Sequence, residues 1–143
     1  FVFTYLECGN RFGFATDLGR VPKSLLDTFV KLDALAIESN YDPTMQQMSR
    51  RPEFLKDRIM GGSGHLSNEE SLEAVSRISE SSSLKHIVLL HLSRQCNSPS
   101  IIRDLYQTKL AHLDPLLTIT DQDRCSRLLK LEKQHSTLPE ILF

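Results

Sequence analysis

The chain predicts an α/β domain built on one mixed sheet with helices on one face. Two observations carry this. Short apolar runs of strand length alternate with segments whose apolar residues recur at helical spacing, and the chain opens on paired aromatic runs that read as a hairpin. A third feature concerns function: Asp or His falls just past the ends of predicted strands, where open α/β sheets bind ligands.

Residues 1–6 and 11–16 are aromatic and β-branched, and Glu7-Cys8-Gly9-Asn10 between them is turn-forming, which predicts the hairpin. Asp17 then sits just past a strand. Pro22 suits a first helical turn, and Leu25, Leu26, Phe29 and Val30 form one apolar face. Residues 34–38 read as a short buried strand. Residues 39–64 read as irregular apart from a helix at 52–60 that stops at Gly61-Gly62-Ser63-Gly64, making this the expected substrate loop.

Ser67 and Glu70 form an S-x-x-E capping box, and Leu72, Val75 and Ile78 continue one face, so a helix begins two residues after His65. Residues 86–90 are too short and too apolar to be anything but a buried strand, which makes His91 strand-terminal. Ser98-Pro99 reads as a cap followed by proline at the first helical position, with Ile101, Ile102 and Leu105 on the buried side. Residues 116–120 and 125–131 read as two closing strands around Asp121-Gln122-Asp123.

Composition narrows the classes. Forty per cent hydrophobic and 24% charged residues are globular proportions, which excludes disorder. No apolar run approaches the roughly 20 residues of a membrane-spanning helix, so no membrane partner is expected and the default location is cytoplasmic. A net charge of −1 supplies no global attraction to nucleic acid, so any such contact must be local. Cys8, Cys96 and Cys125 lack C-x-x-C spacing and read as free thiols. No Gly-rich nucleotide loop, G-x-S-x-G elbow or H-E-x-x-H helix is present, which leaves dinucleotide binding, serine hydrolysis and zinc proteolysis unsupported.

Taken singly, the candidate residues have two readings each. Asp17 is either a turn residue or a carboxylate able to bridge two cations. His65 is either the residue before a cap or a proton-transfer group beside a helix N-terminus. His91 is either a structural histidine or a metal ligand on a rigid strand. Asn40, Tyr41 and Asp42 either form an Asx turn into Pro43 or face a substrate. Arg50, Arg51, Lys56 and Arg58 form the one concentrated basic segment, either solvated helix charge or phosphate contacts. His86, His112 and His135 have no partner at ligand spacing and read as structural or surface residues.

The order Thr16-Asp17-Leu18-Gly19, Glu38-Ser39-Asn40-Tyr41-Asp42, Gly64-His65-Leu66-Ser67-Asn68 and His91-Leu92-Ser93 resembles the second half of a metallo-β-lactamase-fold hydrolase. The similarity is to the exonuclease-like branch called YycJ or WalJ, with ribonuclease Z a more distant relative. It implies half of a four-layer αββα sandwich and two divalent metal ions, Zn²⁺ or Mn²⁺. Asp17 would bridge the ions, His91 would bind one of them, and His65 would contact the scissile phosphate and assist proton transfer. Ser67, Asn68, Asn40, Asp42, Arg50 and Arg51 would contact substrate.

The family's His-x-His-x-Asp-His motif is absent: the five histidines are 65, 86, 91, 112 and 135. With a start inside a strand, this predicts a C-terminal half-domain at 1–131 and a tail at 132–143, with the missing N-terminal half as a partner. An uncovered sheet face would favour association into homo-oligomers. The functional expectation is a metal-dependent phosphodiester hydrolase, nuclease-like, acting through metal-activated water on nucleic acid. The alternatives are a hydrolase of a small phosphoester or thioester, and a non-catalytic binding or structural module, which three ligand side chains would suit.

Overall fold

A computed structural model describes residues 1–132. Five strands form one sheet in the order β1-β2-β3-β4-β5: β1 (Val2–Thr4), β2 (Arg11–Ala15), β3 (Ala34–Glu38), β4 (His86–Leu90) and β5 (Leu117–Ile119). The expected hairpin is present, with β1 antiparallel to β2. The three remaining pairings are parallel. The sheet is therefore mixed, and its parallel strands point their carboxyl ends toward one edge.

Side chains alternate across a strand, so the register assigns each residue to a face. Ala15, Leu35, Ile37, Ile87, Leu89 and Leu117 share the face on which the main core is built. That face is covered by residues from α4 (Asn68–Glu80) and α5 (Pro99–Lys109), including Leu72, Val75, Ile78, Ile102 and Tyr106, and by Leu25 and Leu26 from α1 (Lys23–Thr28). Ile37 and Leu89 have no exposed surface. Burial of each such side chain contributes about 1.5–3 kcal/mol, which outweighs any propensity term in these five-residue strands.

The opposite face is mostly open. Phe12 and Phe14 lie in register with Ala34 and Ala36, which in turn align with His86 and Val88. Both phenylalanines and Val88 are half-buried, while Phe3 is 54% and Phe1 84% exposed. Residues 130–132 cross one corner, where the Lys130 carbonyl lies 2.9 Å from His86 Nε2 and Asn10 donates to the Glu132 carbonyl. Helices on one face and an open apolar face on the other are what half of a sheet-on-sheet sandwich requires.

Four local expectations are corrected. Residues 43–48, read as irregular, form helix α2 (Pro43–Met48), because Asp42 caps it and proline suits its first position. The helix expected at 52–60 is shorter: α3 (Glu53–Arg58) passes into a wide turn at Ile59–Ser63, where Gly62 takes φ 78°. Ser98 precedes α5 without a side-chain capping bond, its hydroxyl meeting Ser100 instead. Residues 125–131 form no strand, because they are largely exposed and lack a ladder of partners. Residues 133–143, most of the expected tail and His135 among them, lie outside the described residues.

Helix α4 carries the expected capping box. Ser67 Oγ accepts from the Glu70 N–H at 3.1 Å, and Glu70 Oε2 accepts from the Ser67 N–H at 2.8 Å. Replacing Ser67 with Ala is expected to lower unfolding free energy by about 1 kcal/mol, measured by urea denaturation. An unchanged midpoint would show that the cap contributes nothing.

A candidate metal and proton-transfer site

Parallel pairing brings the functional residues together. Ala15 aligns with Ile37, Ile37 with Leu89, and Glu38 with Leu90, so the chain leaves β2, β3 and β4 at neighbouring points on one edge. Asp17, Glu38 and His91 follow from that register. His65 arrives from the segment before α4, fixed by an Asn40 N–H bond to the Leu66 carbonyl (3.0 Å) and an Asn68 N–H bond to the Tyr41 carbonyl (2.9 Å).

Ligand atoms of Asp17, His65 and His91 all lie within 4.8 Å of one another. The two imidazoles meet edge to face, with ring centroids 4.9 Å apart. Asp17 and His91 both have left-handed backbones, at φ 56° and 59°. Such conformations are uncommon outside glycine and persist only where surrounding bonds enforce them. Here the Leu18 N–H donates to Glu38 Oε2 at 2.9 Å, and Asn40 Nδ2 donates to the His91 carbonyl at 2.6 Å. Gly19 is required for another reason: a Cβ there would collide with the Gly62 carbonyl, so the Asp17 turn packs directly on the turn that precedes His65.

Glu38 is the residue whose role sequence reasoning missed: it opens one of the segments that carry the resemblance, yet that reasoning gives it no function beyond ending a strand. It has no exposed surface, and Oε1 lies 2.7 Å from His65 Nδ1 and 3.2 Å from His91 Nδ1. The signal was present as a carboxylate closing the otherwise apolar run Ala-Leu-Ala-Ile. Burial pushes its pKa up to about 7, against the pull of the Leu18 N–H and His91.

A raised carboxylate pKa has a definite sign in stability. Below about 4.5 both folded and unfolded states hold the proton, and above about 7 neither does. Between these limits the unfolded state releases it first, so this group disfavours folding increasingly as pH rises through the window. With divalent ions chelated, Glu38→Gln should remove that decline. Melting temperatures of both proteins across the window test it, and parallel curves would refute the assignment.

The donor set fits a divalent cation. Imidazole and carboxylate suit Zn²⁺ and Mn²⁺, and Glu38 Oε1 and His65 Nδ1 are buried atoms whose mutual approach is too poorly aligned for a hydrogen bond, so both are left without one. Three donors suffice for one ion with open positions. Two ions need more ligands than Asp17, His65 and His91 provide.

The other candidates are distributed unevenly. Asn40 is buried, and its backbone and amide serve the His65 and His91 segments. Asp42 accepts from the Met45 N–H as the α2 cap. Asn68 is fully buried, its amide exchanging bonds with Asn97 and accepting from Ser39, which places it beneath the surface rather than against a substrate. Ser67 is committed to the capping box. Lys56 is buried against the Gln47 carbonyl and Glu53. Arg50 is exposed, whereas Arg51 lines a cavity with His65 and His91. His86 meets the Lys130 carbonyl and His112 is exposed. The three cysteines are free, with Cys96 fully buried.

Among the described residues no helix is long and apolar enough to cross a membrane. No protein-family model matches the chain. It is 32% identical over 101 residues to an exodeoxyribonuclease YycJ of Bacillus anthracis, covering 71% of this chain and 38% of that protein. It is 30% identical over 112 residues to an exodeoxyribonuclease WalJ of Streptococcus pneumoniae serotype 2 strain D39, covering 78% of this chain and 41% of that one. The chain thus spans about two-fifths of the length of these curated relatives. Two solved structures are also similar: a diphosphatase of the PhnP family (TM-score 0.46, 13% identity, 76% of this chain and 32% of that one) and Zn²⁺-bound PqqB from Methylobacterium extorquens (TM-score 0.49, 15% identity, 78% and 38%). Neither superposition is close enough to bear on function.

Proposed function

From homology to the YycJ and WalJ exodeoxyribonucleases, proteins of the metallo-β-lactamase fold, we propose that this chain carries the C-terminal part of a metal-dependent phosphodiester hydrolase acting on nucleic acid. The observation that carries the proposal is the convergence of Asp17, His65 and His91 within 4.8 Å, backed by buried Glu38. Asp17 and His91 would hold the metal, Asp17 through its carboxylate and His91 through its imidazole. The ions, Zn²⁺ or Mn²⁺, supply Lewis acidity and an activated water when bound. Their remaining ligands belong to the part of the protein that the relatives possess beyond the matched two-fifths, and the open face bearing Phe12 and Phe14 is where that part packs.

His65 does the proton work. Glu38 Oε1 sits 2.7 Å from His65 Nδ1, so a buried carboxylate backs the ring and would stabilise positive charge on it. A ring N–H stabilises charge on a phosphoryl oxygen or delivers a proton to the departing alkoxide. Glu38 is a positioning residue, since it is too deeply buried to touch substrate.

The test is hydrolysis by the complete protein, loaded in turn with Zn²⁺ and Mn²⁺, of single-stranded DNA, RNA and a small phosphodiester. Cleavage of DNA that stops on chelation is expected. Hydrolysis confined to a small phosphoester or a thioester would move the substrate class, and no metal-dependent hydrolysis of any of them would leave a non-catalytic module.

A further inference from the structure

We propose that the cavity beside Asp17, His65 and His91 is a subsite for a second phosphate of the substrate chain, with Arg51 as its principal ligand and Arg94 as the other. The substrate would then be an oligonucleotide carrying a phosphodiester next to the one cleaved. This rests on the phosphodiester reading given above. The cavity holds about 360 Å³ and is walled by His65, His91, Arg51, Ser93 and Arg94. Pockets for small ligands run from about 300 to 1,000 Å³, so this space admits roughly one nucleotide unit beyond the reacting group.

Arg51 is the anomaly that points to an anion. Its guanidinium is half-buried, yet among the described residues it has no carboxylate partner. It reaches only neutral oxygens at long range, Gln46 Oε1 at 3.4 Å and Ser93 Oγ at 3.3 Å. The buried Lys56 shows the contrast, paired with Glu53 at 2.9 Å. A partly desolvated cation held by weak neutral contacts is stabilised by an arriving anion, and a planar guanidinium fits phosphate with two parallel bonds.

Arg94 lines the same cavity. It is 62% exposed, bonded to Gln122 and paired with Asp123 at 2.6 Å. Gln122 is itself tied to the Leu92 carbonyl at 2.7 Å. That arrangement holds Arg94 at the rim, and a phosphate at the cavity mouth would share it with Asp123. An exposed pair of this kind contributes little by itself, so sharing costs little.

The experiment measures displacement of a fluorescein-labelled oligothymidine from the complete protein in chelator, by the thymidine dinucleotide with one internucleotide phosphate and the trinucleotide with two. The wild type should prefer the trinucleotide by about tenfold, the scale of one charge-assisted contact, and Arg51→Gln should abolish that preference. Between about 50 and 200 mM salt, Arg51→Gln and Arg94→Gln should each flatten the log–log salt dependence of oligothymidine binding by about 0.7, the value for one phosphate on a single strand. Arg51→Lys, which keeps the charge and guards against a folding defect, should retain most of the slope. Arg103→Gln, at a surface pair with Asp114, should leave it unchanged.

Absence of oligothymidine binding by the wild type, or slopes unaltered in both arginine variants, would overturn the subsite. Because chelator is present, these outcomes do not depend on the metal reading. A separate titration with Mn²⁺ shows whether that reading stands when the subsite falls, or falls when the subsite stands.

Discussion

Asp17→Ala is expected to remove most bound metal and nearly all hydrolysis from the complete protein while leaving its fold intact. The side chain is 68% exposed, so it adds little to packing, and its structural contacts are a 3.4 Å bond from Thr16 and approaches of 3.7 and 3.9 Å to His91 and His65. Its distinctive property is a pair of carboxylate oxygens at the point where both imidazoles converge, which no other exposed group among the described residues there shares. Alanine also strains the left-handed backbone, at a cost of roughly 1–2 kcal/mol. Asp17→Asn avoids this, since asparagine tolerates that conformation, and it should lose metal too. Full metal occupancy in the asparagine protein, measured by elemental analysis, would refute its role as a ligand.

His65→Ala should separate chemistry from metal binding. Turnover is expected to fall by roughly 10²- to 10⁴-fold, the span of general acid–base assistance, with metal content unchanged. The geometry makes this a sharp test, because the His65 ring also lies within ligand distance of Asp17 and His91. If metal content falls together with turnover, His65 is a ligand and the proton-transfer role belongs elsewhere. Glu38→Gln should give a milder defect in turnover, because it removes the buried carboxylate charge behind the ring without removing the ring itself.

The strands and helices that frame the site were legible because their signals are local. Ala34–Glu38 and His86–Leu90 are apolar runs too short for a helix, and both are strands within those bounds. Ser67 and Glu70 announced the start of α4 through a reciprocal bond only three residues apart. Where local signals competed, tertiary context decided: Asp42-Pro43 reads as an Asx turn or a substrate contact, and the structure makes it the start of a helix. Residues 125–131 show the reverse case, a strand-like composition without a neighbouring strand to complete its hydrogen bonds.

By itself, the sequence determined the α/β order, the placement of Asp17 and His91 at strand ends, and the position of His65 just before a capped helix. Each of these depends on residues within a few positions of one another. Only the tertiary structure decided which charged groups meet. Glu38 faces His65 across 27 positions of sequence, and Thr16 approaches His91 across 75. It likewise sorted the basic segment, sending Lys56 to a carboxylate and Arg50 to solvent while leaving Arg51 half-buried with neutral partners. The physical reason is the same throughout. Backbone conformation is dominated by near neighbours, whereas the ionic state and partners of a side chain are set by burial and by whatever the parallel register brings beside it.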